Sequence, residues 1–228
     1  MGKTLGILTI GQSPRPDGLA RDVQAVLGSG VQVIERGALD GLSREEVDAL
    51  QPGESDYRLV TLLNDKTPVQ IAKKPILDRL QAHITDLERT CHADATLLMC
   101  TGEFPQFDHD RPLIRPQESL YGVVKGLAGE GTIGSLTPLA SQLSQARDKW
   151  LSMGCTGVAL ADADPYCDDP IAAVRRATER VRSEGASVLF MDCFGYDLRM
   201  RAAAIDVFAG PVILARSMAA RIATEVVQ

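Results

Sequence analysis

Ala95-Thr-Leu-Leu-Met-Cys100-Thr-Gly102 and Ser187-Val-Leu-Phe-Met-Asp-Cys193-Phe-Gly195 are two short apolar runs, each stopping at Cys-x-Gly. A brief apolar run closed by glycine reads as a buried strand of a parallel sheet. Such sheets take ligands beyond the carboxyl ends of their strands. Both thiols therefore stand where a ligand is expected. Outward from these runs, apolar segments alternate with helical patterns along the whole chain, the signature of βαβ units and an α/β fold. Strands are predicted over 4–10, 31–36, 58–63, 95–100, 131–136, 156–161, 187–192 and 211–215.

The intervening helices carry start and stop signals. Ser43-Arg-Glu-Glu46 is a capping box, and Asp169-Pro170 opens a helix that Gly185 closes. Thr67-Pro68 is read as another helix start, followed by the stripe Leu77, Leu80, Ile84 and Leu87. Thr137-Pro138 is read as a start that Gly154 ends, and a helix is expected over 117–128. The pattern also suggests two related halves. Ile10-Gly-Gln-Ser-Pro14 matches Ile133-Gly-Ser-Leu-Thr-Pro138, and each half later reaches Cys-x-Gly. Residues 103–116, rich in proline and charge, read as a crossover linker. The expected division is a first domain over 1–115, completed by the last strand and helix in 209–228, and a second over 116–208.

With 228 residues, 45% hydrophobic and 24% charged, the chain can bury a substantial core. Its formal charge of −6 argues against nucleic acid as a partner. No uncharged run reaches the roughly 18–20 residues that span a bilayer, so no membrane association is expected. The stretch Leu5 to Ile10 is too short for the core of a signal peptide, and a cytoplasmic location is expected. Five cysteines without a C-x-x-C pair suggest neither a disulfide framework nor zinc. No H-E-x-x-H, Walker, G-x-G-x-x-G or G-x-S-x-G pattern is present. Neither metal nor organic cofactor is called for. Apolar surface for a homo-oligomer is indistinguishable from core at this level.

Cysteine acts as a base only as thiolate, and an ordinary thiol titrates near 8.5. Backbone N–H groups at a strand-to-helix turn favour the anion, and Thr101-Gly102 and Phe194-Gly195 supply such turns. One thiolate and one thiol on opposite faces of a carbon would invert it. The alternative is that each cysteine simply fills core space. Ser13, Ser135 and Thr137 are candidates to hold a carboxylate, with capping as the alternative role. Arg15 could add charge, and Asn64-Asp65 could orient a ligand or cap a turn. Thr101, Gly102 and Gly195 complete the expected binding set. Asp192 is expected to point away from Cys193, by strand alternation. Cys91 and Cys155 are read as structural and Cys167 as an outside candidate.

Taken together, Leu5-Gly-Ile-Leu-Thr-Ile-Gly-Gln-Ser-Pro-Arg-Pro16, Leu42-Ser-Arg-Glu-Glu-Val47, Leu59-Val-Thr-Leu-Leu-Asn-Asp65, Leu97-Leu-Met-Cys-Thr-Gly102, Met191-Asp-Cys-Phe-Gly195 and Pro211-Val-Ile-Leu-Ala-Arg-Ser217 resemble the AroM family. More distantly the chain is similar to the aspartate/glutamate racemase superfamily. That resemblance implies two similar α/β domains with a ligand cleft between them. It maps Ser13 onto the superfamily's early serine and Cys100 and Cys193 onto its two cysteines. Departures are visible: no acidic residue precedes Ser13, no Asn follows Cys100, and Thr-His does not follow Cys193. The expected activity is a cofactor-independent racemase, epimerase or isomerase of a small carboxylate. Two alternatives stand beside it. One is a single-cysteine isomerase or decarboxylase of a diacid, like maleate isomerase or arylmalonate decarboxylase. The other is a non-catalytic metabolite-binding protein associated with aromatic metabolism.

Overall fold

In the computed structural model, which describes residues 2–227, the chain runs β1 (Lys3–Thr9), α1 (Leu19–Leu27), β2 (Val31–Gly37), α2 (Arg44–Asp48), β3 (Arg58–Leu62), β4 (Pro68–Ala72), α3 (Leu77–Arg89), β5 (Ala95–Leu98), β6 (Leu113–Ile114) and α4 (Pro116–Ala128). It continues with β7 (Thr132–Thr137), α5 (Leu143–Ser152), β8 (Val158–Asp162), α6 (Pro170–Ser183), β9 (Ala186–Met191), α7 (Leu198–Ile205), β10 (Val212–Leu214) and α8 (Ala215–Val227). Two units result. The first runs to Gln117 and takes in the chain from Ala219; the second is Glu118–Met218.

In the first unit β1 lies between β2 and β5, and β6 extends β5, with every pair parallel. Leu5, Ile7 and Leu8 are all buried, as a strand covered on both faces requires. The predicted stripe of α3 packs here, with Leu80, Ile84 and Leu87 fully buried, each contributing about 2 kcal/mol by its removal from water. In the second unit the order is β8-β7-β9-β10, again parallel throughout. Ser43 and Glu46 form the expected capping box. Asp169 accepts the Ala172 N–H ahead of Pro170, and Gly185 beyond that helix has φ of 86°.

The two sheets share one arrangement, and their hydrogen bonds set its register. Met99 N–H donates to Leu8 O and Asp192 N–H to Leu136 O (2.8 and 3.0 Å). Ala38 N–H donates to Thr9 O and Ala163 N–H to Thr137 O (2.9 and 2.8 Å). Thr4-Leu-Gly-Ile-Leu-Thr9 is therefore the counterpart of Thr132-Ile-Gly-Ser-Leu-Thr137. The match expected from Ile10-Gly11 is out of register: Gly134 answers to Gly6, inside the strand. Each glycine admits a close packing partner. A Cβ on Gly6 would lie 3.0 Å from Leu87 of α3, and one on Gly134 2.9 Å from Ala186 and 3.1 Å from Val181 of α6.

Four local expectations are corrected. Thr67-Pro68 opens no helix. Residues 68–72 form β4, antiparallel to β3, because Val69 and Ile71 are buried while Pro68 and Gln70 are exposed, a two-residue period that overrides the proline signal. Strand 58–63 thus belongs to a hairpin rather than a parallel sheet, and its turn places Lys66 at φ 71°. The linker contains an edge strand, β6, paired with β5. Thr137 ends β7 and opens no helix; its hydroxyl donates to Leu139 O (3.3 Å), and α5 begins six residues later, after a short 3-10 turn. Finally, β10 pairs with β9 in the second unit's sheet and not with the first half, since α7 returns the chain directly beside β9.

Candidate active site

Each unit places one cysteine two residues beyond the end of equivalent strands, Cys100 after β5 and Cys193 after β9. In the first unit the Gly102 N–H donates to Cys100 Sγ at 3.3 Å; in the second the Gly195 N–H donates to Cys193 Sγ at 3.2 Å. A donor aimed at sulfur favours the thiolate. Glycine is what allows these turns. A Cβ on Gly102 would lie 3.1 Å from Leu59, and one on Gly195 would meet the Tyr166 hydroxyl at 2.5 Å and Pro165 at 2.8 Å. Both cysteines are partly exposed thiols.

Around Cys100, Glu103 is held from two sides. Its N–H donates to the Tyr57 hydroxyl (3.0 Å) and its carbonyl accepts from Lys73 Nζ (2.8 Å), which lies 4.1 Å above the Tyr57 ring. Burial lowers the proton affinity of Lys73, opposed by the charges of Glu103 and Cys100. Around Cys193, buried Arg216 donates through Nε and Nη2 to Phe194 O (3.0 and 2.7 Å), and Tyr196 donates to Ala163 O (2.7 Å). Burial pushes the Tyr196 phenol well up, with the Cys193 and Asp192 charges adding to it. Asp192 does point away from Cys193. Its carboxylate accepts from the Tyr121 hydroxyl and from Lys149 Nζ at 3.2 Å, whereas Cys193 packs against the core cluster that includes Leu189 and Met191.

The expected carboxylate holders sit differently from one another. Ser13 directs both its N–H and its hydroxyl at Asp40 (2.6 Å each), which also accepts the Gly37 N–H at 2.8 Å. Asp40 thus takes the very donors assigned to a ligand. Arg15 is buried, forks onto Asp17 and donates to Thr61. Asn64 and Asp65 are exposed on the hairpin turn. Asn64 N–H donates to Gln12 and its amide to Ser13 O, while Asp65 accepts the Thr67 N–H. Ser13 and Asn64 are therefore brought together at the end of β1. Thr101 and Gly102 are buried beside Cys100, and Gly195 beside Cys193. Ser135 is fully buried in mid-strand between Leu160 and Phe190, so its hydroxyl faces packed side chains and not a ligand; this corrects its assignment. Thr137 is buried and spends its hydroxyl on Leu139 O.

Lys73, Tyr57, Asp40 and Arg216 were not singled out from the sequence. Arg216 stands in a quoted motif, Ala215-Arg-Ser217, but Lys73 and Tyr57 sit in stretches with no motif at all. Among the described residues no group of three or more His, Cys, Asp or Glu side chains is placed to hold a metal ion. Among them, too, no helix is long and apolar enough to cross a membrane.

Comparison with known proteins agrees with this architecture. The family model described as AroM protein matches residues 5–227. Among solved structures, allantoin racemase from Pseudomonas fluorescens is similar at 15% identity with a TM-score of 0.66, covering 97% of this chain and 89% of that one. Glutamate racemase from Aquifex pyrophilus is similar at 11% identity and a TM-score of 0.59, covering 99% and 84%. An arylmalonate decarboxylase is similar at 13% identity and 0.60, covering 97% and 90%. At such identities the likeness is one of fold: this is an aspartate/glutamate racemase-like α/β protein. No curated protein matches the chain.

Proposed function

The chain belongs to the AroM family, and we propose that it is a cofactor-independent racemase, epimerase or isomerase of a small carboxylate, with Cys100 and Cys193 as its acid/base pair. The observation that carries this reading is the equivalence of the two thiols. They occupy the same register position after matching strands, and each sulfur accepts an N–H from the glycine two residues on. Core filling demands no such coincidence of strand, register and donor. The racemases that share the fold support the same reaction class.

In the proposed reaction a thiolate takes the proton from the carbon next to the carboxylate. The electron pair left behind spreads into the carboxylate, and the second thiol returns a proton to the opposite side. Removal and return from opposite sides invert the centre. Enzymes tune the two groups of such a pair to different proton affinities. A second reading is favoured by the likeness to arylmalonate decarboxylase: one cysteine suffices to protonate the carbanion left when a diacid loses carbon dioxide.

The test is deuterium wash-in, followed by proton NMR, over a panel of amino acids, dicarboxylates and aromatic acids in deuterated water. With the correct substrate, label is expected at the stereocentre, and Cys193→Ala is expected to abolish it. Label that persists in Cys100→Ala/Cys193→Ala overturns the assignment. Turnover that survives Cys100→Ala but not Cys193→Ala selects the single-cysteine reading. A ligand that raises the melting temperature of the double variant without wash-in selects a binding protein.

A further inference from the structure

Every backbone N–H that follows β1 already has a partner within the chain. Gly11 N–H donates to Thr9 Oγ1 (3.2 Å) and Gln12 N–H to Leu62 O (3.4 Å). Ser13 N–H donates to Asp40 Oδ1 (2.6 Å), Pro14 has no N–H, and Arg15 N–H donates to the Glu35 carboxylate (3.1 Å). We infer that Asp40 is a specificity-determining residue: it closes the end of β1 to a carboxylate and leaves that end to an N–H or O–H group of the substrate. This rests on the acid/base reading above and narrows its substrate class.

Asp40 is held as a bound carboxylate would be. Its Oδ1 takes the Ser13 N–H (2.6 Å), and its Oδ2 takes the Ser13 hydroxyl (2.6 Å) and the Gly37 N–H (2.8 Å). The turn that carries it is tied down. Leu39 N–H donates to Gly11 O and Asp40 N–H to Gly37 O (3.0 Å each), and Arg79 of α3 donates to the carbonyls of Ala38 and Asp40. Close approach is needed as well. A Cβ on Gly37 would lie 2.6 Å from Asp40 Oδ1 and 2.7 Å from Ser13 N, so only glycine admits the carboxylate there. A ligand carboxylate would have to displace Asp40 from its three donors and then lie beside it, two like charges in a half-buried place. Because the Ser13 hydroxyl gives its hydrogen to Asp40, what remains on Ser13 Oγ and Asp40 Oδ1 is lone pairs. Lone pairs receive an N–H or O–H. The substrate class that follows is a small acid whose one carboxylate is held away from β1, with a hydrogen-bond donor where a diacid would carry its second carboxylate.

The experiment refills the vacated place with a free anion. Asp40→Gly removes the heavy atoms that acetate supplies, and Asp40→Ala removes those that formate supplies. Isotopically labelled full-length protein is titrated with each anion, and the Ser13 and Gly37 amide resonances are followed by NMR. Acetate is expected to shift both amides of Asp40→Gly saturably, with a dissociation constant of about 10 mM. Formate is expected to do the same in Asp40→Ala, and adding Ser13→Ala is expected to weaken either rescue about tenfold. In the native chain neither anion is expected to move these amides at about ten times that concentration. Saturable shifts of Ser13 and Gly37 in the native chain overturn the inference without any variant. So do folded Asp40→Gly and Asp40→Ala that both ignore the anions, and so does a diacid substrate that moves these two amides in the native chain. If one of these occurs while wash-in still requires both cysteines, the acid/base reading stands and only the substrate class falls.

Discussion

Asp192 immediately precedes Cys193, yet it is built into the opposite layer of the second unit, with a side chain only 2% exposed against 6% for Lys149. Stacking of Tyr121 on Trp150, with ring centroids 4.3 Å apart, and the edge of Phe190 enclose the pair. Removing one charge of such a pair strands the other in a dry site. Asp192→Asn is therefore expected to cost about 3 kcal/mol in urea unfolding, and adding Lys149→Met to recover part of that loss. A double variant as unstable as the sum of the singles would show that the two charges do not interact. Strand alternation was enough to turn Asp192 away from its neighbour, because the side-chain period of a strand is a local property. Its partners were not legible. Tyr121, Lys149 and Asp192 lie far apart in sequence, and no periodicity links them. The same holds for Lys73, which reaches the Cys100 segment only because a hairpin delivers it there.

At the scale of elements, Thr-Leu-Gly-Ile-Leu-Thr and Thr-Ile-Gly-Ser-Leu-Thr stand in the sequence as a repeat, but the more conspicuous match of Ile10-Gly11 with Ile133-Gly134 draws the alignment five residues away. Hydrogen-bond register decides between them, and it makes Gly6 and Gly134 equivalent packing positions. Gly134→Ala pushes a methyl against Ala186 and Val181, and its expected cost is about 1–3 kcal/mol, read from a lowered urea midpoint. A neutral substitution would mean that α6 shifts without loss. The hairpin β3–β4 teaches a complementary lesson. Its turn chemistry, Asn64-Asp65-Lys66, was visible, yet Thr-Pro ahead of an apolar stripe also signals a helix start. Two-residue burial of Val69 and Ile71 against the first core settled the outcome.

Over the whole molecule, global unfolding reports the groups whose proton affinity the fold changes. Glu35 at the Arg15 N–H is held above the ordinary carboxylate range by burial, which outweighs that hydrogen bond. The folded chain therefore keeps this proton at pH values where the unfolded chain has lost it. Stability from Glu35 is full below its ordinary value of 4.5 and is lost as pH rises through the raised value. The melting temperature of the native chain relative to Glu35→Gln is expected to fall as pH rises from the ordinary value of 4.5 through the raised one, and a flat difference would refute the shift. Sequence by itself determined the α/β class, the succession of strands and helices, and the two thiols at matching strand ends, because run length, period and capping residues act over a few neighbouring positions. Only the tertiary structure decided that β10 joins the second sheet, that Asp40 takes the donors of Ser13, that Ser135 is sealed in the core and that Lys73 reaches the Glu103 carbonyl. Those outcomes depend on which sheet edge is open and which side chains meet across long separations in the chain, and such contacts leave no local pattern behind.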